Sequence, residues 1–302
     1  MTLTLTIVPA STKAGAETIR ALLREESNPK LQAVYRDPTK APAEFRSNPN
    51  FTAVQGDVST GAGLDFNGSD AVFYVPPPPY LAEDADVAQF ATTAANHVKE
   101  ALEKTSVKRL VLLSSMGAQH ERDIGILKVN HISDTILKTA APEVAIVKPG
   151  YFMENWAHTL ETAKAEPPVI YSPATPIDHK IPMVSLKDVG QECACMLLDI
   201  KTPLPHRTYF FDLFGPRNYS TLDIQAAVEE LSRKKIEIVS IGRDSLAEFF
   251  GQRVPAELVG ELVEMTISAL PGGVMVPDFD GDENTVWGKT DLIEALRVLG
   301  AA

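Results

Sequence analysis

The sequence predicts an α/β protein: a doubly wound, mostly parallel sheet in its first half and a smaller α+β C-terminal lobe. Three observations carry that prediction. As far as Gly150, short apolar runs alternate with segments of helical spacing, the pattern of successive βαβ units with right-handed crossovers. The turn between the first apolar run and the first helix, Val8 to Gly15, ends in a glycine where close helix–strand packing needs one. Beyond Gly150 the alternation stops, and prolines crowd residues 167–182.

In chain order, Leu3–Val8 reads as the first strand and Ala16–Arg24 as the first helix, with Ile19, Leu22 and Leu23 on one side. Leu31–Tyr35 and Thr52–Gln55 are the next strands, running into Arg36-Asp37-Pro38 and Gly56-Asp57. Ala71–Val75 is a fourth strand, stopped by the prolines at 76–79. Ala85–Lys104 is a long helix with Asp84 as its expected N-cap. Strand Arg109–Leu113, helix Ile126–Thr139 and strand Val144–Val147 complete this half. In the second half Ser185–Asp199 is helical and Arg207–Leu213 a strand. Ser220 opens a helix through a capping box with Asp223, and Ile236–Ile241 is a strand. Two helical segments precede the break at Pro271-Gly272-Gly273. The expected domains are residues 1–155 and 156–302, the second including segments that return to the first.

At 302 residues and 44% hydrophobic content, the chain can bury a substantial core. A net charge of −12 argues against nucleic acid, which needs a concentrated basic surface. No apolar run approaches the roughly 20 residues of a membrane-spanning helix. The start, MTLTLTIVPA, lacks the basic region of a signal peptide, so a cytoplasmic location is expected, with no membrane partner. Cys193 and Cys195 fall on different faces of one apolar helical stretch and read as buried small hydrophobes. No metal-ligand spacing stands out.

The segment Val8-Pro9-Ala10-Ser11-Thr12-Lys13-Ala14-Gly15 stands where a dinucleotide site carries three glycines: one for the turn, one for backbone approach to the pyrophosphate, one for helix packing. It resembles the T-G-A-T-G-x-x-G loop of the NmrA-like family of atypical short-chain dehydrogenase/reductases. The resemblance extends to Arg36-Asp37-Pro38, Gly56-Asp57, the proline run and Leu113-Ser114-Ser115. Its most specific piece is Lys148-Pro149-Gly150-Tyr151-Phe152-Met153-Glu154-Asn155, close to R-P-G-x-F-M-E-N. Ile181-Pro182-Met183-Val184, Asp188-Val189-Gly190 and Gly215-Pro216 also match. A Rossmann-type fold is implied. Pro9 and Thr12 replace two of the glycines. Proline has no N–H, and Thr12 places a β-branched side chain where the pyrophosphate approaches; alternatively, the Ser11 and Thr12 hydroxyls hold a phosphate with amides of the helix N-terminus.

The resemblance implies an NADP(H) site. Arg36 ends the second strand, where an arginine suits the 2′-phosphate of NADP, and Lys40 assists. Ser11, Thr12, Gly15, Asp57, Pro76, Pro77, Ser114, Pro149, Gly150 and Phe152 are the further expected cofactor contacts. Lys128 matches the lysine that holds the nicotinamide ribose, but Ile124 stands where the proton-donating tyrosine belongs. Candidates for acid–base work are therefore Lys128, His131 on the same helix face, and Tyr151. Tyr80, Met116, Tyr151, Asn155 and Trp156 are expected to line the substrate cleft.

The expected function is NADPH-dependent reduction of a hydrophobic small molecule, an iminium or a conjugated carbonyl, in a natural-product pathway. Two alternatives stay open: a non-redox cyclase or isomerase on a degenerate scaffold, and an NADP-sensing regulatory binding protein.

Overall fold

The computed structural model describes residues 2–77 and 86–300. Its strands are β1 Thr4–Val8, β2 Lys30–Tyr35, β3 Phe51–Gln55, β4 Ala71–Tyr74, β5 Arg109–Leu113, β6 Glu143–Pro149, β7 Tyr151–Phe152, β8 Val169–Ser172, β9 Ile181–Val184, β10 Thr208–Phe214, β11 Asn218–Tyr219, β12 Glu237–Ser240 and β13 Val286–Trp287. Its helices are α1 Lys13–Leu23, α2 Ala43–Arg46, α3 Val87–Glu103, α4 Lys128–Leu137, α5 His158–Thr162, α6 Leu186–Leu198, α7 Thr221–Ser232, α8 Leu246–Gly251, α9 Ala256–Ser268 and α10 Leu292–Gly300.

An eight-stranded sheet runs in the order β13-β10-β6-β5-β4-β1-β2-β3. From β3 through β6 every neighbouring pair is parallel. Strand order reverses between β1 and β4, in register Val8 with Tyr74. At such a switch point the flanking connections leave in opposite directions and open a crevice at the strands' carboxyl ends. Buried alternate residues of the central strands (Val8, Val34, Val72, Tyr74, Leu110, Leu112, Val144 and Ile146) form one core with Ala94, Ala95 and Val98 of α3 and Leu137 of α4. Period-2 strands facing period-3.6 helices explain why the sequence pattern was readable here.

Two compact units emerge. One comprises residues 2–77, 86–118, 128–148 and 189–211; the other 119–127, 149–188 and 212–300. Each therefore borrows chain from both sides of the expected division at residue 155. In the first unit Arg109 is almost wholly buried. Its guanidinium donates twice to Glu143 Oε2, at 2.6 and 2.9 Å, and to the carbonyls of Met196, Asp199 and Thr202. These carbonyls lie at and beyond the end of α6, where helix geometry leaves acceptors unsatisfied. In the second unit β9 pairs antiparallel with β11 and parallel with β7, and β12 pairs with β8.

Several local expectations change. Asp86, not Asp84, caps α3, accepting the Gln89 amide at 2.9 Å; Asp84 and Tyr80 lie outside the described residues. The expected helix from Ile126 is a 3₁₀ turn, Gly125–Leu127, followed by α4. The proline-dense stretch holds β8 and β9, and the chain closes with α10. Cys193 is buried as expected, whereas Cys195, two positions on, turns to solvent. The Ser220 capping box forms, with Ser220 Oγ and Asp223 exchanging bonds. Among the described residues no helix is long and apolar enough to cross a membrane, and no group of His, Cys, Asp and Glu could hold a metal ion.

Candidate active site

In the first unit, the loop between β1 and α1 is organised by Thr12. Its Oγ1 accepts the Gly15 amide at 3.0 Å and donates to Pro9 O at 3.2 Å. Thr12 is thus the N-cap of α1, and its hydroxyl proton is committed inward rather than offered to a phosphate. Thr12 O takes the Ala16 amide at 2.9 Å. The first-turn amides of Lys13 and Ala14 are left without helical acceptors. Together with the exposed hydroxyl of Ser11, they fit a pyrophosphate at the positive end of α1. Gly15 is kept by packing: a Cβ there would sit 2.8 Å from Thr12 Oγ1 and 3.0 Å from Pro9 O.

Arg36 and Lys40 are both exposed just beyond β2. Between them Asp37 accepts the Thr39 hydroxyl and amide, and these bonds hold its carboxyl below the usual range. Gly56 is required by contact, since a Cβ would meet Val34 Cγ1 at 2.7 Å. Asp57 is used locally, its Oδ1 accepting the Ser59 amide and hydroxyl. At the end of β4, Pro76 is half-buried and Pro77 buried.

The end of β5 holds a group that sequence reasoning missed. Ser114 Oγ donates to Asp134 Oδ2 of α4 at 2.6 Å, and both residues are buried. Burial raises the Asp134 carboxyl to about 7, against the opposing effects of the Ser114 hydroxyl and the Lys148 charge. Among the described residues Asp134 Oδ1 has no hydrogen-bond partner. The signal was present in the sequence. Val129, Ser133, Asp134 and Leu137 share the buried face of α4, and an acid on such a face is rare unless paired. Lys128 and His131 are half-buried one turn apart on α4. His131 Nδ1 lies 2.9 Å from Ala118 O. A carbonyl only accepts, so Nδ1 carries the hydrogen and Nε2 keeps a lone pair in the neutral ring. Met116 is buried.

In the second unit, the most specific motif segment and the matched segment Ile181–Val184 are sheet neighbours. Tyr151 pairs with Met183 and Phe152 with Val184. Gly150 permits this, because a Cβ would lie 2.7 Å from Pro182 O. Glu154 Oε1 accepts the Ser185 hydroxyl and the Leu186 amide, both at 2.9 Å, so the motif's acid caps α6. Asp188 accepts the amides of Lys289 and Thr290 and the Thr290 hydroxyl. Tyr151, Asn155 and Trp156 come together. The Tyr151 ring is edge-on to Trp156 at 6.3 Å, and Trp156 stacks on His158 at 6.0 Å. Tyr151 is 37% exposed, and desolvation raises its phenol to about 12, against a hydrogen bond with Asn155. Among the described residues the buried Trp156 indole N–H has no partner, and Pro149 is buried beside Gly150. Ile124 is 2% exposed and offers no proton.

A family model described as NAD(P)H-binding matches residues 10–197. The mitochondrial 40 kDa subunit of NADH-ubiquinone oxidoreductase from Neurospora crassa is 24% identical over 186 residues, 61% of this chain and 47% of that protein. The chain thus spans about half the length of the curated relative it matches. The NADPH-dependent quinone oxidoreductase QOR2 of Escherichia coli, crystallised with NADPH, superposes with a TM-score of 0.74 at 19% identity, covering 98% of this chain and 99% of that one. NmrA, a negative transcriptional regulator, superposes with a TM-score of 0.67 at 15% identity, covering 98% and 95%. At such identities the two structures show the fold, which is the one the NmrA-like resemblance implies.

Proposed function

The chain belongs to the NAD(P)H-binding family, and from that membership we propose that it is an NADPH-dependent reductase of a hydrophobic small molecule bearing an iminium or conjugated carbonyl group. The observation that carries the reading lies in the first unit: open amides at the start of α1, with two exposed cations, Arg36 and Lys40, beyond β2. Amides and helix dipole suit a pyrophosphate, and the cations suit a 2′-phosphate. When bound, the nicotinamide supplies hydride. This chain's residues then orient the cofactor and exclude water. The Lys13 and Ala14 amides and the Ser11 hydroxyl serve the phosphates, and Lys128 the ribose. An iminium carbon takes hydride without a proton, which accords with Ile124 in place of a tyrosine. A conjugated carbonyl needs a proton, and His131 supplies it only when its Nε2 is protonated. The quinone oxidoreductase from Escherichia coli supports the carbonyl branch. The natural-product setting rests on the NmrA-like resemblance.

Pro9 and Thr12 favour a second reading, a non-redox cyclase or isomerase, because both narrow the room for a pyrophosphate. An NADP-sensing regulator would bind cofactor without turnover, as Ile124 permits. Titration with NADPH, followed by melting temperature, decides first. Stabilisation at micromolar NADPH is expected, and none at millimolar concentration would remove both reductase and sensor. Consumption of NADPH with a cyclic iminium then separates reductase from sensor.

A further inference from the structure

The second unit carries a groove of about 380 Å³ between the segment at Asp123, helix α9 and the loop after it. Helix α9 turns Gly260, Val263, Glu264 and Ile267 toward it, the i, i+3, i+4, i+7 stripe of one helix face. Val274 adds a further apolar side chain, and Asp123 a second carboxylate. No lining residue is cationic. Among the described residues neither the Asp123 nor the Glu264 carboxylate has a hydrogen-bond or ion-pair partner.

The walls are built by contacts that fix their spacing. Gly125, at φ +53°, lies so close to α9 that a Cβ would clash with Glu261 O and stand 2.6 Å from the Met265 amide. Gln119 and His120 both reach Asp278 Oδ2, at 2.7 and 2.8 Å, and tie the other end of the same segment. Gly273 is pressed against the carbonyls of Ile267 and Ser268, and the Met275 amide donates to Ser268 O at 3.0 Å. Val263 and Ile267 stay partly exposed in this frame, with no side chain covering the position above Gly260.

A fixed concavity of this size, with apolar walls and charge of one sign, suits a small organic ligand of the opposite charge. We propose that this groove binds an organic monocation: an apolar body seated on Val263, Ile267 and Val274, its charged nitrogen facing Asp123 and Glu264. The site goes beyond the reductase reading and does not rest on it, since it needs no nicotinamide cofactor.

The test uses the full chain without cofactor and two probes of equal shape, the benzyltrimethylammonium ion and its uncharged isostere neopentylbenzene. Binding is followed by NMR of the Val263 and Ile267 methyl groups. The cation is expected to shift these methyls saturably, more tightly than the isostere and more weakly as salt is added. The double variant Asp123→Asn, Glu264→Gln should weaken the cation about fivefold to tenfold, the order for two partly exposed charge contacts. Gly260→Leu fills the groove from a position with open space above it and should abolish binding while the melting temperature holds or rises, because a helical glycine is replaced. Equal binding of both probes, no methyl shift with either, or unchanged cation affinity in the double variant or in a folded Gly260→Leu chain would overturn the proposal.

Discussion

Ser114 and Asp134 join the end of β5 to α4 through a buried hydrogen bond of 2.6 Å, and the second oxygen of the carboxyl group meets no partner among the described residues. Burial favours the neutral acid here, over the opposing pull of the Ser114 hydroxyl and the Lys148 charge, because an ionised carboxylate in that place leaves a buried charge poorly solvated.

Stability should therefore fall with rising pH across the window that Asp134 sets. Between the ordinary aspartate pKa of about 4 and its raised value of about 7, the folded chain keeps a proton that the unfolded chain has released. Relative to Asp134→Asn, the parent should lose stability as pH climbs through this range and stay level above it, by a few kcal/mol at most. Urea denaturation of both proteins at several pH values measures the difference. A pH-independent difference would count against a protonated Asp134.

Removal of the α1 cap should separate two roles of Thr12. Thr12→Ala should cost about 1 kcal/mol of stability by freeing the Gly15 amide. Thr12→Ser keeps the cap and removes a methyl from the loop, so its stability should match the parent and its NADPH affinity should rise. An affinity loss in Thr12→Ser, with stability unchanged, would show that the methyl does not obstruct the phosphate.

Arg36→Ala should weaken NADPH about tenfold or more, the order for loss of a charge-assisted bond to a phosphate, and leave NADH nearly unchanged. Paired titrations read this directly. Parallel losses for both cofactors would remove the 2′-phosphate role.

Arg109→Met should destabilise the chain by about 3–5 kcal/mol, because Glu143 and three carbonyls lose their buried donor. Arg109→Lys should recover only part, since a compact ammonium cannot span the carboxylate and three carbonyls as the guanidinium does. Equilibrium unfolding that places Met and Lys together near the parent would contradict the structural role.

The sheet was legible because its strands are short apolar runs whose alternate residues face helices of clear periodicity. The Ser220 capping box was legible for a similar reason, being a local pattern with a local partner. What escaped depends on distant contacts. Strands β7 and β9 are short and contain or adjoin prolines, and they hold by pairing with each other. Asp134 shares a helix face with Val129 and Leu137, but its partner Ser114 stands on another element and is supplied only by the fold. Glu154 and Asp188 were matched as motif residues, yet their bonds to α6 and to residues 289–290 come only from the fold. For Thr12, the sequence showed a side chain in the way, but not the direction in which its hydroxyl points.

The interleaving of the two units bears on how the protein is made. The chain passes between them after Ala118, Leu127, Lys148, Asp188 and Phe211. The first unit is incomplete without the carbonyls that Arg109 binds, which follow residues 149–188 of the other unit in the chain. Neither half can mature as an independent cassette, be exchanged by recombination at a single joint, or be expressed by cutting the gene once.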